Sequence, residues 1–163
     1  LEATFKIKNK GFKLVVVGSA LNAITLKTKY EKEIEELIKK LEDRVIFTGF
    51  IDYKQIYKLY SIADIAVLPS IWDDPAPLTI IESLVSGLPI ITTNSGGIPE
   101  YAKDESAIIL EKDNNLVDNL VSSIEYLLNN SSKRNEMSKN SKRISKELTL
   151  ENYYKNFCKI FNI

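Results

Sequence analysis

Short apolar runs rich in β-branched residues alternate with segments of helical period along most of this chain. "KLVVVG", from Lys13 to Gly18, reads as a buried strand closed by glycine. "RVIFTG" (Arg44 to Gly49), "DIAVLPS", "PIITT" and "AIIL" (Ala107 to Leu110) repeat the pattern, and Pro69 stops the third run. Between them, "YEKEIEELIKKL" places Tyr30, Ile34, Leu37, Ile38 and Leu41 on one helical face. "YKQIYKLYSIA" turns Ile56, Leu59, Tyr60 and Ala63 inward, and a further helix starts near Leu78 and stops at Gly87. After the fifth run the strands end. Leu116, Val117, Leu120, Val121, Ile124, Leu127 and Leu128 mark an amphipathic helix. A polar helix follows over "SSKRNEMSKNSKRISKEL", and Tyr153, Tyr154, Phe157 and Phe161 cluster in the last segment.

Continuous apolar strands are buried on both faces, which implies a parallel sheet between helix layers. The expected fold is therefore α/β, a doubly wound parallel sheet with C-terminal helices. Such a sheet binds ligands beyond the carboxyl ends of its strands. Here those ends carry Gly18-Ser19, Gly49-Phe50-Ile51, Pro69-Ser70 and Asn94-Ser95-Gly96-Gly97.

Composition narrows the chemistry. At 163 residues and 44% hydrophobic, the chain has the make-up of one globular domain. Lys plus Arg and Asp plus Glu both number 22, so bulk charge gives no argument for nucleic acid or membrane partners. There is no histidine and a single cysteine, Cys158. Serine or cysteine nucleophiles paired with histidine are thereby excluded within this chain, as is an internal disulfide. No apolar run reaches the 18 or so residues that span a bilayer.

Candidate chemistry gathers between Pro69 and Ala102. This stretch holds the only tryptophan, a concentration of prolines, and two carboxylates, Asp74 and Glu82, with seven residues between them. Pro77 suits the first turn of a helix, where a missing N–H costs nothing. The amides of Leu78, Thr79 and Ile80 would then lie unpaired at a helix N-terminus, which favours a phosphate. Glu82, one turn on, can reach a sugar hydroxyl at the same mouth. In "NSGGIPE", Gly96 and Gly97 allow close backbone approach, and Ser95 adds a hydroxyl donor. Read alone, each feature has a plainer account: Gly-Gly-x-Pro is a turn, Asp73 and Asp74 a solvated loop, and Trp72 a packing residue. Their convergence at one sheet edge favours a site.

These segments, in this order, resemble the donor-nucleotide half of GT-B glycosyltransferases of family 4, which are retaining and use nucleotide-sugars. The resemblance runs from "LVVVGSA" through "VIFTGFIDYKQIYKLYSIADIAVLPSIWDDPAPLTIIESLVSGLPIITTNSGGIPEY" to the terminal helices. It implies that residues 1–163 form the Rossmann-like donor-binding domain of such an enzyme. It also implies roles. Glu82 matches the glutamate that binds the ribose hydroxyls. Asp74 stands, one methylene shorter, where a glutamate contacts the donor sugar. Leu78 and Thr79 match positions whose amides meet the diphosphate, and Pro77 replaces a frequent glycine. Ser95, Gly96 and Gly97 match the glycine loop, and Glu100 the acid after it. Gly18 lies at the first strand end, and Gly49, Phe50 and Ile51 bracket the nucleobase.

Against the family pattern, the chain begins inside what looks like the helix after the domain's first strand, "LEATFKI". The absent strand, with its Gly-Arg turn and downstream Lys, would lie beside "LVVVG" and "IAVLP". The acceptor-binding N-terminal domain is expected to be missing as well. The resemblance thus implies a catalytically silent piece of a hexosyl-type transferase. The expected partners are a nucleotide-sugar donor, UDP- or GDP-linked, and a glycan or lipid-linked acceptor. No metal or other cofactor is expected, and the setting is cytoplasmic, at the inner membrane face, in polysaccharide or envelope glycan synthesis. The family's last helix crosses back to the N-terminal domain; the alternative is that Tyr153, Phe157 and Phe161 cover this domain's own core. Two rival functions remain, a sugar-nucleotide epimerase of the same fold and a non-catalytic nucleotide-sugar-binding or interaction module.

Overall fold

The computed structural model describes residues 1–18, 29–41 and 44–162; Ser19 and the side chains of Tyr30 and Ile38 lie outside the described residues. Helix α1 spans Glu2–Lys6 and strand β1 Leu14–Val17. Next come α2 (Lys29–Lys40), β2 (Val45–Gly49) and α3 (Tyr53–Ile62). The alternation continues through β3 (Ala66–Leu68), α4 (Leu78–Val85), β4 (Ile90–Thr93), the short α5 (Ile98–Tyr101) and β5 (Ala107–Leu110). Three helices follow: α6 (Leu116–Asn129), α7 (Ser131–Ser145) and α8 (Leu150–Phe161).

All the strand pairs are parallel, in two separate groups: β1 with β2, and β4 between β3 and β5. A doubly wound parallel sheet was the expectation, and the parallel pairing agrees with it. Among the described residues β1 and β3 do not pair, so the sheet divides between them.

The core centres on β4, whose four residues are all buried. Alternate side chains point to opposite faces. Ile90 packs with Ile80 and Leu84 of α4, Ile98 of α5 and Ile144 of α7. Ile91 faces the other way, onto Leu110, Leu127 of α6 and Met137 of α7. Each such side chain contributes about 1.5–3 kcal/mol by burial. Ile90 sits in register between Ala66 and Ala107, small neighbours that leave room for it. Helix α7 is held to this block by Ser141 Oγ, which donates to Leu88 O at 2.7 Å.

Two expectations of burial fail. Val15 is 40% and Ile46 48% exposed, so the β1–β2 pair is covered on one face only. Apolarity marks a face that favours cover, and the described residues supply none on that side. Along α3, Ile56, Leu59 and Tyr60 are half-buried but Ala63 is exposed, because it caps the helix in extended conformation. Helix α8 buries no residue at all. Tyr153, Tyr154, Phe157 and Phe161 are exposed, which rules out their covering this domain's own core; the Phe157 and Phe161 rings lean on each other, centroids 4.6 Å apart.

Helix α1 ties the two strand groups together. It buries Ala3 and Thr4 and leads into buried Ile7. Lys6 Nζ meets Asp118 of α6 at 2.6 Å, and Lys8 N–H donates to Glu125 at 2.6 Å. From the other group, Arg44 Nη1 donates to Thr4 O at 3.2 Å.

Candidate functional site

The expected site residues meet along the carboxyl ends of the strands. Gly18 and Gly49 close β1 and β2 as a pair, with the Gly18 N–H donating to Gly49 O at 3.1 Å. Both have positive φ, 125° and 67°, a conformation other residues rarely adopt. Phe50 and Ile51 lead on to Asp52, whose carboxylate caps α3 by accepting from Lys54 N–H at 2.8 Å. Phe50 is exposed and Ile51 half-buried.

Helix α4 begins where Pro77 predicts, with Pro77 as its N-cap and Leu78 its first residue. The Ile80 N–H closes back on Pro77 O at 3.1 Å. Helix geometry leaves the Leu78 and Thr79 amides without intrahelical acceptors. Both residues are exposed, Leu78 by 64%, and the first turn carries no acidic side chain to oppose an anion. Glu82 lies four residues on, about 6 Å further along the axis. Its carboxylate accepts from Tyr60 OH at 2.9 Å. Burial first, then the Glu82 hydrogen bond and charge, push the Tyr60 phenol well above its ordinary value, so it stays a donor. Hydrogen bonding and charge from Glu82 also raise Tyr53, the exposed first residue of α3. Glu82 therefore faces the segment after β2. An open cleft of about 410 Å³ runs between α3 and α4 there, walled by Tyr53, Tyr57, Tyr60, Ile81, Glu82 and Val85.

The glycine loop is built differently from expectation. The Gly96 N–H donates to Asp73 Oδ1 at 3.1 Å and the Gly97 N–H to Asp74 O at 2.9 Å. Ser95 is buried, with its Oγ 2.7 Å from Trp72 O and 3.0 Å from Asp73 Oδ1. These three donors already hold the loop of residues 70–77. A Cβ on Gly96 would stand 2.4 Å from Asp74 O, and one on Gly97 1.9 Å from Pro75 O. The glycines admit a neighbouring backbone, a role the sequence pattern does not separate from ligand approach. Asp74 is half-buried, and its Oδ1 accepts from Ala76 N–H at 3.0 Å, shaping the turn into α4. Glu100 stands exposed in the first turn of α5.

Three participants escaped the sequence reading. The helical period turns Tyr60 inward, and its hydroxyl donates to Glu82. Asp73 has the sequence setting of a solvated loop residue, yet it gathers donors from Ser95, Gly96 and Lys112. Lys112 lies just past β5, at the same sheet edge, and that position was the available signal. Among the described residues, no group of three or more Asp, Glu or Cys side chains is arranged to hold a metal ion.

Chemically, the edge offers an unopposed helix start for an anion, with a hydroxyl-binding carboxylate one turn further in. The family model described as "Glycosyl transferases group 1" matches residues 1–144. The spore coat protein SA of Bacillus subtilis is 32% identical over 130 residues, covering 80% of this chain and 34% of its own length. The C-terminal domain of a Francisella tularensis group 1 glycosyl transferase superposes with a TM-score of 0.74 at 27% identity, covering 88% of this chain and 73% of that one. The Anabaena HepE protein, solved with UDP-glucose, superposes with a TM-score of 0.77 at 22% identity, over 90% of this chain and 39% of that one. The chain thus spans about a third of the length of the curated relatives it matches. Among the described residues, no helix is long and apolar enough to cross a membrane. The match over residues 1–144 and the parallel α/β architecture establish that this chain belongs to the group 1 glycosyl transferases, with the C-terminal-domain fold of GT-B enzymes.

Proposed function

We propose that this chain is the donor-binding part of a retaining, family 4 hexosyltransferase that uses a UDP- or GDP-sugar. The observation that carries this reading is the exposed start of α4, free of acidic side chains, with Glu82 one turn on and turned toward Tyr53. The diphosphate sits on the Leu78 and Thr79 amides, and Glu82 takes the ribose hydroxyls. The base lies toward Gly49, Phe50 and Ile51. When the bond to the anomeric carbon breaks, negative charge builds on the departing diphosphate. Amides already aimed at it stabilise that charge without reorganising, and losing one such donor typically costs about 3–4 kcal/mol in barrier. The UDP-glucose bound to the Anabaena protein supports the donor class.

Acceptor and setting follow from the same reading. The acceptor is a glycan or lipid-linked sugar, and the work belongs to envelope or polysaccharide assembly on the cytoplasmic side of the membrane. The spore coat role named for the Bacillus relative is in line with a surface product. Because the chain spans about a third of such relatives, these residues alone should bind donor and transfer no sugar.

Calorimetric titration with UDP and with GDP tests the reading. Glu82→Ala should weaken binding of the preferred nucleotide by about ten- to a hundredfold, the worth of hydrogen bonds to a charged group. Unchanged affinity would remove Glu82 from the site. A second reading, a non-catalytic nucleotide-sugar-binding module, draws on Asp74, whose carboxylate shapes its own turn. Transfer of radiolabelled sugar by a longer protein containing this chain, lost in Asp74→Asn, would decide against that module.

A further inference from the structure

We propose that Asp73 and Lys112 form a clasp that positions the donor-facing start of α4. This rests on reading that helix start as the diphosphate site. Lys112 Nζ reaches Asp73 Oδ1 at 2.5 Å from just beyond β5, while Asp73 belongs to the loop after β3. Between them lies the loop after β4. There the Gly96 N–H donates to Asp73 Oδ1 at 3.1 Å, and Ser95 Oγ accepts from Lys112 Nζ at 3.2 Å. The single Ser95 proton is offered to Trp72 O at 2.7 Å or Asp73 Oδ1 at 3.0 Å. One ion pair thereby joins the loops following three adjacent parallel strands.

The side chains differ in setting. Lys112 is 29% exposed and Asp73 70%, so the ammonium is drawn inward while the carboxylate arrives from the rim. The backbone beneath is keyed as well, since the Gly97 N–H holds Asp74 O at 2.9 Å. From Asp74 the chain passes through Pro75, Ala76 and Pro77 before Leu78 opens the helix. Proline fixes φ at two of those three residues, so displacement of Asp73 is carried to the Leu78 and Thr79 amides rather than absorbed. Asp73 and Lys112 are positioning residues: they act through the loop, with no contact to the donor required.

Trp72, the single tryptophan of the chain, is exposed beside the clasp and reports on it directly. The full 163-residue chain is compared with Lys112→Met, Asp73→Asn and Lys112→Arg, using acrylamide quenching of Trp72 and calorimetry with UDP and GDP. Lys112→Met and Asp73→Asn should each raise the quenching constant and weaken nucleotide binding by about fivefold, the upper worth of an exposed pair. Lys112→Arg should restore both to within about twofold. Nucleotide affinity and quenching unchanged in both charge-removing variants would overturn the clasp. So would raised quenching with affinity intact, because the loop would then not position the helix. If the parent chain binds neither nucleotide, the donor reading fails, and the clasp as a positioning device for that donor falls with it; the Trp72 response then separates a loop latch from no latch. Should Lys112→Met fail to fold, Asp73→Asn alone carries the test.

Discussion

Two halves of this molecule are built to different standards. Around β4, helices α4, α6 and α7 cover both faces, and every β4 residue is buried. Around β1 and β2, Val15, Val17 and Ile46 stay uncovered on one face among the described residues. The candidate site straddles the two. Its anion end, the α4 start with its glycine loop, stands on the covered half. Its other end, Gly49 to Tyr53, follows β2 on the bare one. On the proposed reading, the firmly packed half holds the diphosphate and the barer half receives the base.

The largest way to break that contrast is a cavity. Ile90→Ala removes a fully buried side chain from both-sided packing and should cost about 2–5 kcal/mol in urea-induced unfolding. Ile46→Ala, on the bare face, should cost less than half as much. Equal costs would erase the distinction between the halves. The next effect sharpens it. Gly97→Ala forces a methyl onto Pro75 O and should destabilise by about 1–3 kcal/mol while displacing the loop that leads to α4. Wild-type stability would mean that the loop gives way freely.

The smallest effect is electrostatic. The Lys112 and Ser95 hydrogen bonds, then the Lys112 charge, hold the Asp73 carboxyl below its ordinary value of 3.8. A carboxyl lowered in the folded state stabilises fully above its unfolded value, and the contribution is lost as pH falls through the folded one. The loop should therefore stay closed from neutral pH down to about pH 4, with Trp72 quenching rising only below that. A transition centred at pH 5 or above would contradict the assignment. At the other end of the scale, burial and Glu82 raise Tyr60, so its neutral form is favoured on folding and that stability fades as pH rises past the ordinary tyrosine value.

Local chemistry was the readable part. Strand positions, the α4 start after Pro77 and its stop at Gly87 all follow from residues close in sequence, and the structure agrees at each. What stayed hidden is non-local. Asp73 and Lys112 are 39 positions apart, and Tyr60 and Glu82 are 22 apart. No periodicity links such pairs. The bare face of β1–β2 was hidden for another reason: Val15, Val17 and Ile46 look like core residues in any pattern, because a pattern records what a side chain favours and not what lies against it. The exposed aromatics of α8 make the same point.

Main chain rests on main chain where Gly96 and Gly97 meet Asp74 and Pro75. A seat of that kind leaves no side chain to trim or enlarge. The approach to Leu78 is therefore set by main-chain contact at residues 74 and 75, not by side-chain bulk. Altering that approach means changing the number of residues between Leu68 and Leu78 rather than exchanging one side chain for another.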